Sequence, residues 1–125
     1  HRILVAGGES DSGCLNTTEI LNVRTMAFEP GPSMSLARFG CAAVPVDAHH
    51  VLVISGQDSS ITRSATTELL NIAMMESAPG PALRVGRCGC AAAQLDAAGG
   101  RFLVVGGQHG QPLTTELLAV EDATA

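Results

Sequence analysis

The 125-residue chain contains no tryptophan, no tyrosine and no lysine, and only three phenylalanines. Its core must be filled by leucine, methionine and alanine, with less buried area per residue than an aromatic core provides. With lysine absent, the seven basic residues are all arginines, and they stand singly along the chain. No basic cluster forms in sequence and the net charge is −5, which argues against nucleic acid as a partner, because a phosphate backbone demands a basic face. No apolar run reaches the roughly 18–20 residues of a membrane-spanning helix, no signal-peptide pattern opens the chain, and no membrane partner is expected. The first residue is His1 rather than methionine, and we read the sequence as a piece of a longer or processed protein. No Cys-x-x-Cys pattern occurs, so neither a zinc site nor a dithiol redox motif is supported. Cys14, Cys41, Cys88 and Cys90 are not read as a disulfide set; Cys41 and Cys90, each set amid alanines, read as small buried residues. Cys88 and Cys90, two apart, are expected on one face of a strand. The compartment reading leans towards reducing and cytoplasmic. No stretch of ten or more residues carries apolar spacing of 3.6, which excludes a helical repeat.

What the chain does have is an internal repeat. Ile3-Leu4-Val5-Ala6-Gly7-Gly8 returns as Val51-Leu52-Val53-Ile54-Ser55-Gly56 and as Phe102-Leu103-Val104-Val105-Gly106-Gly107. Thr17-Thr18-Glu19-Ile20-Leu21-Asn22 returns as Thr66-Thr67-Glu68-Leu69-Leu70-Asn71 and Thr114-Thr115-Glu116-Leu117-Leu118. Pro30-Gly31-Pro32 matches Pro79-Gly80-Pro81, and Arg38-Phe39-Gly40-Cys41-Ala42-Ala43 matches Arg87-Cys88-Gly89-Cys90-Ala91-Ala92. Most offsets are 49 residues by direct count. Such a period is the signature of one supersecondary unit stacked on copies of itself.

Each unit reads as short strands punctuated by turn residues. In the first, strands are expected at Ile3–Ala6, Thr17–Val23 and Met26–Glu29, with a loop over Glu9–Asn16. Pro30-Gly31-Pro32 breaks the run, since proline cannot donate to a ladder. The second has strands at Arg38–Val46, Val51–Ser55, Thr66–Ile72 and Met74–Ala78, with a loop over Gln57–Ala65. The third has Arg87–Leu95, Phe102–Val105 and Leu113–Val120, with a loop over Gln108–Pro112. The units divide as 1–36 (partial), 37–85 and 86–120 (partial), with a tail at 121–125. Four antiparallel strands in about 49 residues bury both faces most readily when stacked radially, as in a β-propeller.

The order Arg-x-Gly-small-small, apolar run-Gly-Gly, Thr-x-Glu-apolar-Leu-Asn and then an aromatic before proline resembles the kelch repeat and the related repeats of galactose-oxidase-type propellers. The resemblance covers Ile3 to about Leu118. It implies an all-β, kelch-type propeller of four-stranded antiparallel blades, with about two and a half present as a partial ring. Strand A, nearest the axis, would carry the small residues Cys41, Ala42, Ala43, Cys90, Ala91 and Ala92. The chain departs from the family in having Leu21, Leu70 and Leu118 where a tyrosine is usual, and Phe28 and Ser77 where a tryptophan is. Ser55 stands for the first glycine of the middle pair. Open edges invite self-association.

The expected function is a non-catalytic protein–protein interaction scaffold that takes a protein or peptide partner without a cofactor. Glu19, Glu68 and Glu116, repeated at one position, read as structural hydrogen-bonding groups, because catalysis needs unlike groups brought together. The resemblance places Arg38 and Arg87 at a channel mouth, where a guanidinium fork suits an acidic peptide; the structural alternative is an arginine bonded to carbonyls. Non-repeated loop residues are the other candidates, namely Arg63, Ser59, Ser60, Gln108 and His109. His49-His50 reads as a solvated turn without a third metal ligand in sequence. The enzyme alternative is the propeller domain of a galactose-oxidase-like or carbohydrate-acting protein, whose active residues would lie outside this stretch, since the copper-ligating tyrosine of that chemistry is absent here. A structural spacer is a third reading.

Overall fold

The computed structural model describes residues 1–96, 100–108 and 115–120. Among the described residues there are twelve strands and no helix, and so no helix able to cross a membrane. The strands are β1 (Arg2–Ala6), β2 (Glu9–Ser10), β3 (Gly13–Cys14), β4 (Thr18–Asn22), β5 (Ala27–Pro30), β6 (Ala42–Pro45), β7 (His50–Ile54), β8 (Thr67–Asn71), β9 (Glu76–Pro79), β10 (Ala91–Gln94), β11 (Arg101–Val105) and β12 (Thr115–Ala119). They pair as three antiparallel sheets, β1-β4-β5, β6-β7-β8-β9 and β10-β11-β12, with the hairpin β2-β3 apart. None of these sheets closes on itself. The register repeats with the sequence: Val5↔Glu19↔Pro30 in the first sheet, Val53↔Glu68↔Pro79 in the second and Val104↔Glu116 in the third.

Several boundaries differ from expectation. The strands expected from Arg38 and Arg87 start only at Ala42 and Ala91. Gly40 and Gly89 take φ of 68° and 78° just before them, and the preceding residues make only isolated bridges, Phe39↔Gln57 and Cys88↔Gln108. Cys88 and Cys90 are therefore not neighbours on one strand face; they flank a left-handed glycine. All four cysteines are free thiols. Glu9–Asn16, expected as loop, contains the β2-β3 hairpin. Pro30, Pro45 and Pro79 end strands rather than break them. Each lies on an edge strand, where a missing N–H costs no ladder bond. The last strand begins at Thr115 within the described residues; Leu113 and Thr114 lie outside them.

The repeated motifs interlock. Thr18 Oγ1 donates to Pro32 O and Thr67 Oγ1 to Pro81 O, each at 2.7 Å. A Cβ at Gly31 or Gly80 would collide with those same hydroxyls, so the Thr-Thr-Glu and Pro-Gly-Pro motifs demand each other. Asn22 Oδ1 accepts the N–H groups of Arg24 and Thr25, and Asn71 Oδ1 those of Ala73 and Met74, which closes the turn into the next strand. Ser55 holds a φ of 61°, a conformation that favours glycine. Its hydroxyl, 2.6 Å from Ser64 O and 2.7 Å from Arg87 O, gives its proton to one of them and accepts Arg87 N–H at 2.6 Å.

Two buried clusters join the sheets. Met34, Val53 and Leu70 pack with Leu4, Ala6 and Cys41, between the first sheet and the second. Val44, Leu52, Ile54, Leu83, Phe102, Val104 and Leu118 form the larger cluster, between the second and the third. Leucine, valine and isoleucine do most of the filling, with Phe102 the single aromatic. Fully burying such a side chain contributes roughly 1.5–3 kcal/mol. The outer faces differ: Ile3, Val5 and Phe28 on the first sheet and Leu117 on the third are about half exposed or more.

Candidate functional site

The strongest side-chain constellation sits where each connecting segment turns into the next sheet. Arg38 is 1% exposed and Arg87 0%. Arg38 donates through Nε to Glu68 Oε2 at 3.1 Å, and its Nη2 lies 3.0 Å from the same oxygen. Its Nη1 reaches Ser55 O and Thr66 O, and Nη2 also reaches Thr66 Oγ1. Arg87 repeats the pattern on Glu116 Oε2, at 3.2 and 3.1 Å, and donates to Gly106 O. Each glutamate is also a cap for the backbone. Glu68 accepts Ser35 N–H at 2.6 Å and Leu36 N–H at 3.2 Å, together with the Ser77 hydroxyl at 2.7 Å. Glu116 accepts Arg84 N–H at 2.6 Å and Val85 N–H at 3.4 Å. The donors therefore lie three and two residues before the arginine in both copies.

Burial works against ionising these carboxyls, yet both are held below the usual glutamate value. The N–H of Ser35, the Ser77 hydroxyl, the N–H of Leu36 and the charge of Arg38 outweigh burial at Glu68. The N–H of Arg84, the Arg87 guanidinium and the N–H of Val85 do so at Glu116. Both arginines thus turn inward, onto carboxylates and carbonyls of their own sheet, and neither offers its fork to an outside carboxylate. Burial raises the Cys41 and Cys90 thiols above the ordinary value, against a smaller opposing pull from Arg38 and Arg87.

The non-repeated residues lie outside. Ser59, Ser60 and Arg63 are exposed on one loop, and Gln108 is exposed after β11. Among the described residues the Arg63 guanidinium has no hydrogen-bond or ion-pair partner. His109 lies outside the described residues. The loop is built by Asp58, a residue that the sequence reading passed over. Its carboxylate accepts Ser60 N–H, the Ser60 hydroxyl and Thr62 N–H at 2.8–3.0 Å, and these bonds hold it below the usual aspartate value. Asp-x-Ser-x-Thr was the available signal for such a turn. Ser59 is not a free contact: its hydroxyl accepts Cys14 N–H at 2.9 Å and packs against Gly13. The hairpin β2-β3 and the loop 57–65 therefore form one continuous surface, carrying Ser10, Asp11, Ser60 and Arg63.

His50 is held in its turn, with Nδ1 2.8 Å from Asp47 Oδ1 and Nε2 3.4 Å from Asn71 Nδ2. Among the described residues no group of three or more His, Cys, Asp or Glu is placed to hold a metal ion. In comparisons with known proteins, no family model and no curated protein matches this chain.

Proposed function

We propose that the chain is a stretch of kelch-type repeats, about two and a half β-propeller blades of which the middle one is four-stranded, and that it is a non-catalytic protein–protein interaction scaffold. What supports the repeat reading is that bonds recur with the motifs: Arg38 and Arg87 hold Glu68 and Glu116 alike, and Thr18 and Thr67 bond the two Pro-Gly-Pro turns alike. The observation that carries the function is the joining of two loops from successive units, through Cys14 N–H and Ser59, into one polar surface. Loops positioned in this way by a sheet scaffold are where recognition residues concentrate. The partner is a polar peptide or protein surface read by hydrogen bonds. An acidic preference rested on Arg38 and Arg87; with both buried, Arg63 is the cation that this surface offers, among Glu9, Asp11 and Asp58.

The test is a selection of displayed peptides against the chain, with the selected peptides titrated against a Ser60→Ala/Arg63→Ala variant. Loss of binding at least tenfold, with an unchanged circular dichroism spectrum, supports the reading. Selected peptides that bind the variant as tightly as the parent would refute it.

A further inference from the structure

Three glutamates hold one position in the repeat, and two of them are filled. Glu68 and Glu116 are buried and each receives an arginine and two backbone N–H groups. The Glu19 carboxylate, on β4 at the same register, is exposed and has no partner among the described residues. The surroundings match as well. Thr66, Thr67, Glu68, Ser77, Ala78 and Pro79 line a hollow of about 260 Å³ into which Ser35, Leu36 and Arg38 reach. The corresponding Thr17, Thr18, Glu19, Phe28, Glu29 and Pro30 line a hollow of about 410 Å³. Beside it β1 is an edge strand, whereas its counterparts β7 and β11 each have a strand on that side, β6 and β10. Val5 is 50% exposed, while Val53 and Val104, at the same place, are both 0% exposed.

We propose that the Glu19 face and the β1 edge form a docking site for one extended partner peptide that carries an Arg-x-Gly sequence. The segment has two free backbone N–H groups, an arginine three and two residues beyond them, then x-Gly and small residues that pair along β1. This is strand addition to a sheet edge, with an arginine–carboxylate lock that fixes the register. The chain itself displays the complex twice, in Ser35–Gly40 on Glu68 and Arg84–Gly89 on Glu116. A second folded copy does not fit, because both of its Arg-x-Gly segments already lie buried on its own glutamates. Stacking a bare apolar face over Glu19 would bury a carboxylate without a cation. The proposal stands on the comparison among the three units and does not depend on the loop-surface reading.

The probe is a labelled synthetic peptide of the Ser33–Val46 sequence, with its cysteine replaced by serine, titrated against the intact chain. Saturable binding is expected, with amide shifts centred on Leu4, Val5, Ala6 and Glu19. It should weaken at least tenfold with Glu19→Gln in the protein, and equally with arginine replaced by alanine in the peptide. Peptides selected for the loop surface should bind Glu19→Gln unchanged. Absence of saturable binding would overturn the proposal. So would binding indifferent to both substitutions, or shifts centred on β6 to β9, which mean strand exchange at Glu68. Self-association of the chain that disappears in Glu19→Gln would overturn it too, by giving the face to a second copy.

Discussion

Glu68→Gln is the substitution that most directly tests how these sheets are held together. The carboxylate takes N–H groups from Ser35 and Leu36, two guanidinium nitrogens of Arg38 and the Ser77 hydroxyl. Glutamine keeps the shape but has one acceptor oxygen, and it turns an amide N–H towards a donor. Arg38, 1% exposed, is left as a buried cation without its anion. Removing one member of such a pair costs about 3–5 kcal/mol, and bonds to charged groups contribute roughly 1.5–3 kcal/mol each. A loss near 4 kcal/mol is expected. In urea, with a slope of about 2 kcal/mol/M, the midpoint falls by roughly 2 M, or the transition disappears if the parent is less stable than that. Glu19→Gln is the internal control: same residue type, same register, no partner among the described residues, and an expected change within about 0.5 kcal/mol. Circular dichroism across a urea series reads both. Equal losses in the two variants would refute the claim that the arginine and the capped N–H groups, rather than the residue's place on the strand, give Glu68 its weight.

The same carboxylates set the acid limit. Their folded pKa values lie below the ordinary 4.5, so their contribution is complete above that value and is lost as pH falls through the lower, folded one. Stability should be flat above about pH 5 and drop below 4.5, and Glu68→Gln should flatten the drop; an unchanged slope in that variant contradicts the assignment. Ser55→Ala keeps the left-handed φ of 61° and removes the hydroxyl that Arg87 N–H needs, so it should cost about 1–3 kcal/mol. Ser55→Gly relieves the φ and should cost about 1 kcal/mol less; thermal melts that reverse this order remove the strain argument. Gly80→Ala drives a methyl onto Thr67 Oγ1 and Leu52 and should destabilise by roughly 1–3 kcal/mol, whereas Gly89→Ala meets no atom of the described residues within 4 Å and should lose only the cost of a φ of 78°, about 1–2 kcal/mol. A thiol reagent at neutral pH should modify Cys41 and Cys90 more slowly in the folded chain than in urea, read by peptide mass; equal rates would contradict their burial.

The strand order was legible because the apolar runs, the turn residues and the prolines recur together. Val51–Ser55 was expected as a strand and β7 occupies His50–Ile54; Thr66–Ile72 was expected and β8 occupies Thr67–Asn71. The strands that become β6 and β10 were overextended because Arg38 and Arg87 were counted into them. Pattern reading sees an apolar stretch that follows an arginine. It does not see that a left-handed glycine two residues later lets the guanidinium turn back into the sheet. Glu68 and Glu116 make the hydrogen bonds expected of the repeated glutamates, whereas the Glu19 carboxylate makes none among the described residues; the arginine partner was not expected, because Arg38 and Glu68 are thirty residues apart and no local rule joins them. Asp58 was missed for the opposite reason. Its bonds are local, yet no aspartate recurs at its place in the repeat.

Repetition separates two kinds of residue by physical role. A residue that recurs meets the same neighbour in every unit, so its bonds are met inside the chain, as Arg38 and Arg87 show. Recognition needs side chains whose bonding capacity is not already satisfied, and such residues differ from unit to unit: Arg63, whose guanidinium has no partner among the described residues, has no arginine at the same place in the other loops. Glu19 breaks this division. It belongs to the repeated set by sequence, but among the described residues its carboxylate has no partner, as in the recognition set. A position that is structural twice and open once is a binding site whose ligand the molecule itself specifies, since the two filled copies show which donors the open one lacks.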